Sequence, residues 1–100
     1  MTKNVREREV EKYLTQETEV LGAACIKVTA GGGFPDRAIF WPDGSVCLAE
    51  TKRPYGSVVS ARQVAYRRKL ENMGHHVHFI YTKSDVDNYI THIKNERNLP

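Results

Sequence analysis

Residues 36–52 read Asp-Arg-Ala-Ile-Phe-Trp-Pro-Asp-Gly-Ser-Val-Cys-Leu-Ala-Glu-Thr-Lys. Residues 36–41 and 45–52 are strand-like, and Pro42-Asp43-Gly44 between them is turn chemistry, so the stretch predicts a β-hairpin. Strand side chains alternate between the two faces of a sheet. Leu48, Glu50 and Lys52 therefore share one face, and Cys47, Ala49 and Thr51 share the other. An antiparallel turn at 42–44 also returns the start of the first strand to the end of the second, which brings Asp36 toward Glu50.

Upstream, Ala30-Gly31-Gly32-Gly33 reads as a flexible loop that accommodates a substrate, following a strand over residues 24–29. Before it, residues 5–21 predict a helix with Val10, Tyr13, Leu14, Val20 and Leu21 as its apolar stripe, ended by Gly22. Downstream, Arg53-Pro54-Tyr55-Gly56 breaks the strand pattern. Ser60 with Gln63 then forms a capping box that opens a helix to Met73, closed by Gly74. Residues 75–81 alternate as a strand, and Ser84 with Asp87 is expected to cap a last helix to about Lys94. The order helix, three strands, helix, strand, helix predicts an α/β fold with a mixed four-stranded sheet flanked by helices. A strand-helix-strand crossover implies parallel pairing of the third and fourth strands.

The chain has 100 residues, 40% of them hydrophobic and 27% charged, which suits a single globular domain with one modest core. Small domains gain stability from a partner copy, so a homodimer is expected. Fifteen Lys and Arg against twelve Asp and Glu give a net charge of +3 and a pI near 9.0, compatible with a polyanionic partner. Two isolated cysteines in apolar segments exclude a disulfide framework and read as reduced core residues. With neither a signal peptide nor a membrane-length apolar run, the expected location is intracellular and soluble.

Two carboxylates and an ammonium at one end of a sheet suit phosphodiester hydrolysis. Asp36 and Glu50 can hold Mg²⁺ or Mn²⁺ through oxygen ligands, leaving metal positions for water and phosphate. Lys52 can lower the pKa of the attacking water, orient it, or stabilise charge on the phosphate. An isolated Glu-x-Lys is also a common exposed ion pair. What lifts this one above that reading is an otherwise apolar strand, a Gly-rich loop leading into Pro35-Asp36, and a separation that one hairpin spans.

Gly33-Phe34-Pro35-Asp36-Arg37, Glu50-Thr51-Lys52 and Ser60-Ala61-Arg62-Gln63, in that order, resemble the VRR-NUC family, a branch of the PD-(D/E)xK nucleases found in phages and DNA-repair proteins. The main departure is Phe34, where a smaller or β-branched residue often precedes Pro-Asp. The resemblance implies one nuclease domain over residues 1–100, with a restriction-endonuclease-like fold and a divalent metal. It also implies a DNA substrate, a homodimer resembling Holliday-junction resolvases, and no small-molecule cofactor. On this reading the protein is a metal-dependent endonuclease selective for junction- or flap-type DNA in replication or repair. The family usually adds a Glu from the first helix. Glu7 is the choice here because it borders Val10 and Leu14, whereas Glu9 and Glu11 are expected to point further away. Gln63 falls on the inward side of its helix, where it is either the capping partner of Ser60 alone or a supporting active-site residue. Arg53 and Arg62 flank the cluster and are candidate phosphate contacts. His75, His76 and His78 raise a weak prospect of zinc without the accompanying ligands such a site needs. The competing readings are a catalytically silent DNA-binding module on the same fold and a small phage interaction protein.

Overall fold

The computed structural model describes residues 3–52 and 59–97. Its elements are α1 (Lys3–Val20), β1 (Ala24–Lys27), β2 (Arg37–Phe40), β3 (Val46–Thr51), α2 (Ala61–Asn72), β4 (Val77–Ile80) and α3 (Lys83–Arg97). The four strands lie side by side in the order β1-β2-β3-β4. The first two pairings are antiparallel and β3 with β4 is parallel, as a crossover through α2 requires. This is the expected mixed sheet.

Local chemistry accounts for the joints. At the hairpin, Gly44 N–H donates to Trp41 O at 2.9 Å, and Asp43 Oδ1 accepts from Ser45 N–H at 2.9 Å, an Asx turn. Both α1 and α2 end in Schellman motifs. Ala23 N–H donates to Thr18 O and Gly22 N–H to Glu19 O, and His75 and Gly74 do the same to Leu70 and Glu71. Gly22 and Gly74 sit at φ of 90° and 96°, which is why glycine occupies both positions.

The two sheet faces are covered unequally. On one, Cys25, Ile39, Cys47, Ala49 and Ile80 pack with Val10 and Leu14 of α1 and Val86, Tyr89, Ile90 and Ile93 of α3. On the other, Ala38, Leu48 and Val77 pack with Leu70 of α2. Both cysteines are free and buried, as expected.

Two sequence expectations are corrected. The buried stripe of α1 is Val10, Leu14 and Thr18, while Val20 is 80% exposed. Thr18 is tolerated inside because its hydroxyl donates back to Leu14 O at 2.8 Å, so the polar group is satisfied within the helix. The cap of α3 is Thr82 rather than Ser84. Thr82 Oγ1 accepts from Asp85 N–H, and Asp85 Oδ2 accepts from Thr82 N–H, a reciprocal box two residues earlier than expected.

The glycine loop also does something other than lend flexibility. Gly33 has φ of 89°, and a Cβ there would lie 2.7 Å from the Arg62 backbone carbonyl carbon, so the loop packs directly on the first turn of α2. Phe34 locks the same contact with an edge-to-face ring on Tyr66 at 5.6 Å. Gly33→Ala is expected to cost at least about 2 kcal/mol of stability, from a left-handed backbone plus a backbone clash. Gly32→Ala, at φ of 63° with open space around it, should cost only about 1 kcal/mol. Denaturant midpoints of the two variants check the difference, and equal midpoints would remove the packing role.

Candidate active site

Asp36 lies just before β2, whose register places Arg37 opposite Ala49 of β3. Its backbone N–H therefore faces the end of β3 and donates to Glu50 Oε2 at 3.1 Å. Its carboxylate reaches over the strand end, accepting from Thr51 N–H at 3.2 Å and from Thr51 Oγ1 at 2.9 Å. The hairpin thus brings together the two carboxylates that the sequence singled out.

Glu50 points to the α2 side of the sheet, as alternation predicts, and there meets Gln63. Gln63 Nε2 donates to Glu50 Oε1 at 2.9 Å, while Gln63 Oε1 accepts from Lys52 Nζ at 2.8 Å. The same Oε1 accepts from Ser60 N–H at 2.9 Å, and Ser60 Oγ accepts from Gln63 N–H at 3.1 Å. Gln63 is thus both cap and bridge, where the sequence offered those roles as alternatives. The capping box fixes the amide, and the amide in turn holds Lys52 and Glu50 at set positions.

Electrostatics follow from this crowding. Burial, then the neighbouring Asp36 charge, push Glu50 up to about 7, against the opposing pull of Lys52. Asp36 is also raised, chiefly by burial, with its Thr51 hydrogen bonds pulling the other way. Near neutral pH the pair resists carrying two full negative charges unless a cation joins it. The donors are all oxygens, which suits a hard divalent ion. Among the described residues no three His, Cys, Asp or Glu side chains are grouped as a metal cage. A carboxylate pair completed by water and phosphate is nonetheless the usual way a protein holds Mg²⁺.

The first helix contributes an acid that the sequence reading set aside. Glu11 Oε1 lies 3.1 Å from Thr51 Oγ1, and Glu11 Oε2 lies 3.4 Å from an Arg37 Nη. The Thr51 hydroxyl has one proton, so it serves Asp36 or Glu11 but not both at once. Glu11 sits about 40° round the helix from Glu7 and one turn further along it, so both acids fall on the flank of the buried stripe. The spacing of Glu7 and Glu11, four residues apart, was the signal that could have found it. Glu7 is half-buried on that flank. Arg62 is exposed on the first turn of α2, and Arg53 lies outside the described residues.

A cleft of about 420 Å³ lies elsewhere, between α2, β4 and α3, lined by Arg67, His78, Asn88 and His92 among others. His78 there is drawn down to about 4, mainly by burial and then by repulsion from His76 and His92, and its ring lies 4.6 Å from that of Tyr89. That environment keeps it neutral. No described helix is long and apolar enough to cross a membrane.

No protein-family model matches the chain. A curated protein of Acyrthosiphon pisum secondary endosymbiont phage 1, named "Putative nuclease p44", is 32% identical over 75 residues, covering 73% of this chain and 80% of that protein. A solved structure described as a VRR_NUC domain superposes with a TM-score of 0.80 at 25% identity, covering 87% of this chain and 96% of the other. With the relative matched over four-fifths of its length and the fold shared almost end to end with a solved domain, this chain belongs to the VRR-NUC family of PD-(D/E)xK nucleases.

Proposed function

We propose that the protein is a divalent-metal-dependent DNA endonuclease that hydrolyses phosphodiester bonds at the Asp36–Glu50–Lys52–Gln63 cluster and acts on branched DNA, as a homodimer. The observation that carries this reading is the continuous chain of contacts from Asp36 through Glu50 and Gln63 to Lys52. It places a carboxylate pair and an ammonium within one hydrogen-bonded unit. Asp36 and Glu50 are the residues that would hold Mg²⁺ or Mn²⁺, with Glu7 as the contribution from α1. When bound, the ion supplies Lewis-acid stabilisation of the phosphate and a more acidic water.

The remaining work belongs to the chain. Lys52, held by Gln63, presents a positive charge beside the carboxylate pair, where charge accumulates as the phosphate is attacked. Gln63 keeps that geometry at no cost of reorganisation, because its own amide is already fixed by Ser60. Arg62 on the first turn of α2, and Arg53, which follows Lys52 in the sequence, are the phosphate contacts of this reading. Incubating the protein with labelled four-way junctions, flaps, nicked duplex and single strands, with Mg²⁺, Mn²⁺ or a chelator, tests the reading. Cleavage of a branched substrate that the chelator abolishes is expected; no cleavage of any DNA would overturn it. Light scattering should give about twice 11.4 kDa.

Two predictions attach to the acids. Glu7→Gln is expected to lower cleavage by roughly a hundredfold or more, as loss of a metal-site group does, whereas Glu11→Gln should lower it less and soften the Thr51–Arg37 contacts instead. Turnover and Mn²⁺ calorimetry on both variants decide it, and the reverse order would make Glu11 the ligand. Because Glu50 is raised to about 7, an incoming cation must displace its proton below that pH. Apparent Mn²⁺ affinity should therefore climb up to tenfold per pH step between about 5 and 7 and level off above it. Without an ion the folded state holds this proton more tightly than the unfolded chain. Glu50 therefore lowers stability as pH rises from the ordinary carboxylate range to about 7, and added metal should reverse that loss.

A further inference from the structure

On the opposite side of the carboxylates from Gln63, a cleft of about 390 Å³ opens between α1 and the start of β2, lined by Arg8, Glu11, Lys12 and Arg37 together with Thr15 and Gln16. Arg8 and Lys12 are four residues apart on α1, so they stand one above the other on a single face, and both are exposed. Arg37 forms the inner wall. Its side chain is only 13% exposed, and its Nε is buried with no hydrogen-bond partner in the structure.

A guanidinium has five N–H donors in a rigid fork, and leaving a buried one unmet is costly. The 3.4 Å contact with Glu11 Oε2 serves one edge of the group and leaves Nε unserved. Three cations against one carboxylate leave the cleft with a surplus of two positive charges. A ligand that fits must be anionic and must offer several acceptor oxygens to a fork and two flexible side chains, which describes a phosphate. The cleft is also tied to the reaction centre. Arg37 adjoins Asp36 in the chain, and the Thr51 hydroxyl, within reach of either Asp36 Oδ2 or Glu11 Oε1, lies between Asp36 and the Glu11 that pairs with Arg37.

We propose that this cleft binds a backbone phosphate of the cut strand, adjacent to the scissile phosphate, with Arg8, Lys12 and Arg37 as its ligands. This inference rests on the nuclease reading and assigns the strand a path across the α1 side of the cluster, whereas Arg62 marks the α2 side. The exposed pair is the handle for a test, because neither Arg8 nor Lys12 is buried and Arg37 can be left in place to keep Glu11 paired.

Oligonucleotide binding is measured by fluorescence anisotropy in chelator across a salt series, for wild type, Arg8→Ala/Lys12→Ala, and Lys94→Ala on the exposed side of α3 as control. The double variant should lose affinity and flatten the slope of log affinity against log salt by roughly 0.7 to 0.9 for one lost phosphate contact, with Lys94→Ala unchanged. In cleavage, KM should rise while kcat holds. A neutral methylphosphonate placed beside the scissile position should weaken wild type clearly more than the double variant, which keeps only Arg37 at the subsite. Wild type that cleaves DNA while the double variant keeps its affinity and salt slope would overturn the subsite alone. A wild type that cleaves no nucleic acid would remove the nuclease reading and the subsite with it.

Discussion

A Lys52→Ala protein is expected to bind Mn²⁺ nearly as tightly as wild type and to lose turnover by roughly a hundredfold to a thousandfold, the loss associated with removing one preorganised charge-stabilising donor. An ammonium has no lone pair and cannot ligate a metal, so its removal takes nothing from the coordination set. It does remove the positive charge that opposes the rise in the Glu50 pKa, so the proton released on metal binding should be released at higher pH than in wild type. The Nζ position is set by the 2.8 Å bond to Gln63 Oε1, and Gln63 also holds Glu50. Gln63→Ala should therefore reproduce part of the Lys52→Ala loss while Lys52 is still present. Calorimetry and single-turnover cleavage on the same preparations separate binding from chemistry. A Lys52→Ala protein that cuts DNA at the wild-type rate refutes the assignment.

The other large effect is expected at the carboxylates. Asp36→Asn and Glu50→Gln should each abolish detectable cleavage, about a thousandfold or more, because several kcal/mol of metal-derived stabilisation is withdrawn. Both should also weaken Mn²⁺ binding, which distinguishes them from Lys52→Ala. The variants should differ in stability. Asn at position 36 keeps one carbonyl oxygen for the two Thr51 donors, so a contact is strained or lost. Glu50→Gln also keeps one carbonyl oxygen for two donors, Asp36 N–H and Gln63 Nε2, but it removes a buried charge that already favours its neutral form, so above pH 7 its stability loss should be the smaller of the two. Normal metal binding by Asp36→Asn would reduce Asp36 to a residue that only orders the strand end.

Residues that act within one element were legible from spacing. The turn at Pro42-Asp43-Gly44 and the alternation of β3 led directly to Asp36 beside Glu50, since an antiparallel hairpin has one register once its turn is set. Ser60 and Gln63 showed the start of α2 in the same way. Glu11 and Arg37 were not legible, because their importance depends on the rotation of α1 over the sheet. That rotation is set by burial of Val10, Leu14 and Thr18. A threonine at the end of a buried stripe is missed from hydrophobicity alone, because its hydroxyl is satisfied within the helix by Leu14 O.

The sequence by itself determined the order of elements, the mixed sheet, the juxtaposition of Asp36, Glu50 and Lys52, and the helix boundaries marked by Gly22, Ser60 and Gly74. Each follows from chemistry confined to a few neighbouring residues, where the periods of strand and helix and the demands of a turn leave little choice. Only the tertiary structure decided that Gln63 joins Lys52 to Glu50, that Gly33 seats its loop on α2, and that Arg37 is buried against Glu11 behind the carboxylates. Those contacts link residues on different elements, and their distances are set by how two surfaces pack.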